Sequence, residues 1–186
     1  MPVLIAMLRG VNVGGHHKIK MDVLRELCHA AKFECAQTYL QSGNVIFRTD
    51  CRNSAEVSEV LERAIEKRLG FRPAVILRSI PEVRAVIAHN PFGGRAGVEP
   101  SKLAVTFLGT AVNADARRAL LEMDIAPEEL RVHGRELYIY FPNGQARTKL
   151  SWPRVEKMVG PAFTSRNWNT VTNLLELAVS IESEST

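Results

Sequence analysis

The sequence predicts an α+β protein of two β-α-β-β-α-β halves with antiparallel sheets, joined by a connecting helix and closed by a C-terminal helix. Three observations predict it. Short β-prone runs alternate with longer stretches whose apolar residues recur at helical spacing. A glycine turn separates the middle two strands of each half. Like elements also recur at nearly equal displacement: Gly43 as Gly134, 91 residues on, and the helix marked by Leu24 as that marked by Ala116, 92 residues on.

In the first half, Val3–Leu8 reads as a buried strand, and Leu24, Leu27, Cys28 and Ala31 mark one face of a helix. Ala36–Gln41 and Asn44–Phe47 are β-prone runs split by Ser42-Gly43, where glycine supplies the positive φ that a tight hairpin needs. Ser54 can cap a second helix, whose face is Val57, Val60, Leu61, Ala64 and Ile65 and whose stop is Leu69-Gly70. After Pro73, Ala74–Leu77 completes residues 1–79, the order of a ferredoxin-like half.

Residues 80–100 supply a helix begun by Pro81, with Val83, Val86 and Ile87 on one face, and a linker from Asn90-Pro91-Phe92-Gly93-Gly94 to Pro100. Residues 101–186 repeat the pattern. Lys102–Leu108 is a strand, and Ala116, Ala119, Leu120 and Met123 mark a helix. Glu129–Val132 and Leu137–Phe141 form a hairpin. Val155, Met158 and Val159 mark a short helix, Ala162–Ser165 a strand, and Val171, Leu174, Leu175, Ala178 and Ile181 the closing helix.

With 186 residues, 46% hydrophobic and 24% charged, the chain can bury a substantial core. No run approaches the ~20 apolar residues of a spanning helix. Val3–Leu8, with no basic segment before it, is too short for a signal sequence. A cytoplasmic protein with no membrane partner is expected, and its oligomeric state is left open. Cys28, Cys35 and Cys51 lack C-x-x-C spacing and read as buried thiols, and the five histidines have no further ligand at metal-binding spacing. Neither a metal nor a cofactor is expected.

The formal charge of +4 is uneven, with 13 Lys/Arg against 9 Asp/Glu in residues 1–92 and 11 against 11 in residues 93–186. Residues 131–168 alone hold 7 against 2. Such a bias suits phosphates or nucleic acid, and it also occurs as solvated surface.

The candidate site is the connection Leu8–Lys18. Its glycines, Asn12, and the cations Arg9, Lys18 and Lys20 precede the first helix and can cradle an anion. In this topology the turn between strands two and three lies at the same sheet edge, so Arg9, Asn12, Gly14, Gly15 and Lys18 are expected beside Ser42 and Asn44. In the second half, Lys149, Arg166 and Asn167, with Thr148 and Asn169, could form a second polar cluster. Helix capping is the competing reading there. Gly10–Gly15 has the G-x-x-x-x-G frame of a phosphate loop. His16-His17 stands where Lys and Ser/Thr belong, however, which excludes a Walker-type NTPase. Tyr138 and Tyr140 alternate on one strand face, but their surroundings fit the RNA-recognition signature poorly and are read as packing.

Leu8-Arg9-Gly10-Val11-Asn12-Val13-Gly14-Gly15, Gln41-Ser42-Gly43-Asn44-Val45-Ile46-Phe47, Asn90-Pro91-Phe92, Thr148-Lys149-Leu150 and Arg166-Asn167-Trp168-Asn169-Thr170-Val171 together resemble the bacterial family called domain of unknown function 1697. The resemblance runs along the whole chain and implies two ferredoxin-like halves in one cytoplasmic protein. It implies no activity. The chain departs from that pattern at His16-His17, where Asn or Lys is frequent, and at Thr148, where Ser is usual.

The expected function is a non-catalytic binding module for a phosphorylated small molecule or polyanion, nucleic acid included. One alternative is an enzyme acting on a phosphorylated metabolite, with His16 or His17 as general base and Arg9 and Asn12 stabilising negative charge. Another is a homo-oligomeric scaffold that uses exposed strand edges.

Overall fold

The computed structural model describes residues 1–184. Its elements are β1 (Val3–Leu8), α1 (Met21–Ala30), β2 (Glu34–Thr38), β3 (Asn44–Arg48), α2 (Ser54–Leu69), β4 (Val75–Ser79), α3 (Ile80–Ala88), β5 (Leu103–Leu108), α4 (Ala114–Leu121), β6 (Glu129–His133), β7 (Glu136–Tyr140), α5 (Trp152–Val159), β8 (Phe163–Asn167) and α6 (Trp168–Ser183). This is the α+β class expected, with antiparallel sheets ordered β2-β3-β1-β4 and β6-β7-β5-β8. The chain divides into two units, residues 1–84 with the chain from Asn173 onward, and residues 85–172.

In the first unit, alternate residues of β1 (Leu4, Ala6, Leu8) pack with Val45 and Phe47 of β3 against Leu24 and Cys28 of α1 and Val57, Leu61 and Ile65 of α2. A strand places every second side chain on one face, and helical residues at i, i+4 and i+8 meet that face, so these two periods build one core. β1 is buried at all six positions, whereas the edge strand β2 buries Ala36 alone. Within this unit, Asn173 Nδ2 donates to Tyr39 Oη at 2.8 Å and Arg48 donates to the carbonyl of Ile181.

Several local details differ from expectation. The first hairpin is closed by a four-residue loop, with Tyr39 N–H bonding Asn44 O at 3.0 Å, and Leu40 in it takes a positive φ of 59°. β2 starts earlier than its β-prone run because the pairing slips between Glu34 and Gln37, where Cys35 also has positive φ. The cap of α2 is Asn53 rather than Ser54, since the Asn53 carbonyl oxygen Oδ1 accepts from the N–H groups of Ala55 and Glu56. α3 begins with a capping box, in which Ser79 N–H donates to Glu82 Oε2 at 2.7 Å and Glu82 N–H to Ser79 Oγ at 3.4 Å.

Of the cysteines, Cys28 alone is fully buried, while Cys35 is exposed. Burial pushes the Cys28 thiol up to about 12. Alkylation of native protein at pH 8 should therefore label Cys35 and spare Cys28 until denaturant is added, because the thiolate is the nucleophile. Peptide mass mapping checks this, and rapid native labelling of Cys28 would contradict the packing of α1.

In the second unit, Ala104 and Leu108 of β5 and Leu137 and Ile139 of β7 pack on Leu120 of α4 and Val155 of α5. The backbone equivalence with the first unit extends to single hydrogen bonds beyond the first strand. Leu8 N–H bonds Gly43 O at 2.8 Å and Arg9 N–H bonds Ala74 O at 2.9 Å; Leu108 N–H bonds Arg135 O at 2.9 Å and Gly109 N–H bonds Ala162 O at 2.8 Å. At this shared position the connection after β1 is long, and it carries the candidate site.

Candidate functional site

The connection after β1 is a miniature hairpin. Gly14 and Gly15 take φ of 58° and 79° between Val13 and His16, whose N–H bonds Val13 O at 3.1 Å. Positive φ at both central residues is the signature of a type I′ turn, which explains the glycine pair. The stalk closes with Asn12 N–H on His17 O at 3.2 Å.

Asn12 is the clamp. Its Nδ2 donates to the carbonyls of Ile19 at 2.9 Å and Gln41 at 2.7 Å, and its Oδ1 accepts from Ile19 N–H at 2.9 Å. Both amide hydrogens are thereby committed, and the left-handed backbone (φ 56°) is one that asparagine tolerates better than most residues. These bonds tie the loop to the start of α1 and to the β2–β3 turn. Gly43 permits the contact, because a Cβ built there would meet Val11 Cγ2 at 2.3 Å and Leu8 Cβ at 3.0 Å.

Beside this clamp lies a cleft of about 980 Å³, lined by Asn12, Gly15, Lys18–Arg25 in part, Gln41, Arg68 and Leu69. Four cations face it, Lys18, Lys20, Arg25 and Arg68, against one carboxylate, Asp22. Aliphatic wall is supplied by Ile19, Met21, Val23 and Leu69. Asp22 Oδ1 accepts from Val23 N–H at 3.0 Å, and Arg25 Nη1 donates to Thr38 Oγ1 at 2.6 Å. The first turn of α1 has Lys20 at its N-cap and no side-chain cap. Lysines at the positive end of a helix add to its field, whereas a capping carboxylate would offset it, and an anion in the cleft would do the same.

The sequence-predicted residues distribute unevenly. Asn12, Gly15 and Lys18 line the cleft, and Gly14 sits at the hairpin tip. Arg9 lies outside the lining, its N–H on Ala74 O. Asn44 is fully buried and donates through Nδ2 to Tyr39 O at 2.8 Å and Ser42 Oγ at 3.0 Å, so these two residues shape the turn. The loop and the turn do meet, as the topology requires.

In the second unit the expected cluster is spread over different partners. Lys149 Nζ donates to Ala126 O at 2.6 Å, while Lys149 N–H and Thr148 Oγ1 donate to the buried Glu128. Arg166 is buried on β8, where Nη1 donates to Thr164 Oγ1 at 2.6 Å and Ser165 O at 2.8 Å, and burial lowers its pKa to about 10. Asn167 caps α6, its Oδ1 accepting from Asn169 N–H at 2.9 Å while its Nδ2 donates to Ser101 O at 2.9 Å. Tyr138 is buried with its hydroxyl on Val86 O at 2.8 Å, and Tyr140 donates to Gly97 O at 3.3 Å beside Phe92. Those tyrosines serve packing.

Arg25 and Arg68 escaped the sequence reading, although a signal for them exists. Helices of a β-α-β-β-α-β half run antiparallel on one sheet face, which brings the last turn of α2 beside the first turn of α1. Neither His16 nor His17 lines the cleft; His17 instead stacks on Phe71, with centroids 4.7 Å apart. Among the described residues no group of three or more His, Cys, Asp or Glu is placed to hold a metal ion. None of the helices is long and apolar enough to cross a membrane, again among the described residues.

A family model described as "Protein of unknown function (DUF1697)" matches residues 1–138. No curated protein matches the chain. Among solved structures, the conserved bacterial protein SP0830 from Streptococcus pneumoniae is similar at a TM-score of 0.72 and 20% identity, over 96% of this chain and 98% of that one. At that identity the likeness is one of fold.

Proposed function

The chain belongs to the DUF1697 family of proteins of unknown function, and from its own geometry we propose that it is a binding module for a phosphorylated or polyanionic ligand held in the first-unit cleft. The observation that carries this reading is the convergence of Lys18, Lys20, Arg25 and Arg68 with a single carboxylate around about 980 Å³. Pockets of this order accommodate small organic ligands, and lysines set against a positive helix end gain from a bound anion. The loop histidines lie off the lining, so what the cleft offers is charge and shape. The reading includes a cytoplasmic protein whose two similar halves arose by internal duplication, with the ligand site kept in the first.

The test is binding of inorganic polyphosphate at low and raised ionic strength, followed by calorimetry. The parent should bind with an affinity that falls with salt, and Lys18→Ala/Lys20→Ala/Arg68→Ala should weaken it by about tenfold or more and flatten the salt dependence. That variant should stay within about 1 kcal/mol of the parent's stability, since relief from two lysines at the positive end of α1 offsets the loss of Arg68 from the last turn of α2. Lys149→Ala, in the second unit, should leave binding unchanged. Absence of binding at low salt, or equal binding by the triple variant, overturns the reading.

A further inference from the structure

We infer that the ligand of this cleft is a nucleotide unit, whose base stacks on His17 while its phosphate lies among Lys18, Lys20 and Arg68. The inference rests on the anion-binding reading above and adds an observation independent of charge. The His17 ring lies on Phe71 at 4.7 Å between centroids and 20° between planes. Phe71 is partly buried and packed against the core of the first unit, whereas His17 is exposed. The imidazole is therefore braced on one face and open on the other. Its backbone is held as well, at φ 48° with its carbonyl on Asn12 N–H.

Both members of this stack adjoin the cleft along the chain. His17 precedes Lys18, and Phe71 follows Leu69 by two residues, with Lys18 and Leu69 in the lining. A flat ring braced on one face and joined through the chain to a cation-lined cleft is an arrangement by which proteins hold bases without reading their edges, because every base presents a π-face. The aliphatic wall points the same way. Inorganic phosphate would leave the half-buried Met21 and Val23 bare, whereas a nucleotide brings a weakly polar body to cover them and a phosphate for the lysines. A free nucleotide and a single-stranded oligonucleotide share this unit.

The experiment compares adenosine triphosphate with tripolyphosphate, which carries the same phosphates and no base, on parent protein, His17→Asn and His17→Tyr. Asparagine tolerates the left-handed backbone at this position, so His17→Asn removes the ring and keeps the turn. The parent should bind the nucleotide about tenfold more tightly than tripolyphosphate. His17→Asn should erase that difference while leaving tripolyphosphate binding intact, and His17→Tyr should restore it. A short oligoadenylate added as a third probe names the source: tighter binding than the mononucleotide indicates a strand, weaker binding a free nucleotide. If both phosphate probes bind parent equally, or His17→Asn weakens both alike, the inference fails and the anion reading stands. If neither binds, both fall.

Discussion

Gly43→Ala is expected to destabilise the protein by about 2–5 kcal/mol, combining a left-handed backbone penalty with overpacking of a buried contact. Gly43 has φ 77°, and an added Cβ would lie 2.3 Å from Val11 Cγ2 and 3.0 Å from Leu8 Cβ. Val11 is 1% exposed and β-branched, and Leu8 is fully buried in the central strand, so neither side chain can swing away. Gly70→Ala is the control. Its φ is 78° with nothing within 4 Å of the new Cβ, which leaves the backbone penalty alone, about 1–2 kcal/mol. Thermal denaturation reads the difference as roughly 5–15 °C for Gly43→Ala. In the double variant Val11→Ala/Gly43→Ala the clash with Cγ2 is gone, so its loss should fall short of the two single losses by about 1–3 kcal/mol. Equal losses for the Gly43 and Gly70 variants would mean that the loop does not sit against the turn.

Asn12→Ala should cost about 2–4 kcal/mol, since it deletes three side-chain hydrogen bonds and puts alanine at a left-handed position. The lost bonds are those to Ile19 O, Ile19 N–H and Gln41 O. The effect is local before it is global. Amide exchange at Ile19 should accelerate by about a hundredfold or more without any ligand present, as this N–H loses its acceptor and the loop opens. Asn12→Asp should be equally harmful, because a carboxylate retains the acceptor for Ile19 N–H but faces two carbonyl oxygens where the amide donated. Unchanged exchange at Ile19 in Asn12→Ala would instead make Asn12 a residue held in reserve for ligand. Weakened polyanion binding in this variant should accompany the loop opening, since Lys18 is positioned by the loop that Asn12 ties down.

Much of the fold was legible because its signals are local. Leu24 and Cys28 share a helical face through their spacing, and Gly70 ends α2 because its left-handed backbone suits glycine. Where local signals conflicted, the boundary moved: Asn53 took the cap expected of Ser54, and the slip at Cys35 pulled β2 forward. The glycines of the loop were visible as glycines, yet the same pair serves a phosphate cradle or a type I′ turn. The bond between Val13 and His16 decided for the turn. Arg166 read as a candidate for the second polar cluster because its identity says nothing of burial, and the fold leaves it buried on β8, opposite Val105 of β5.

The order of strands and helices, the α+β class and the meeting of the first loop with the β2–β3 turn all follow from the chain, because side-chain period, glycine backbone preference and the connectivity of a split βαβ unit suffice to specify them. Which cations converge was settled in three dimensions: Arg68 joins Lys20 because α2 runs back alongside α1, and Arg9 stands apart. The role of Asn12 was settled there too, since its amide reaches Gln41 across 29 residues of sequence. Hydrogen bonds and electrostatic fields act through distance in space, and no local pattern of residues carries that distance.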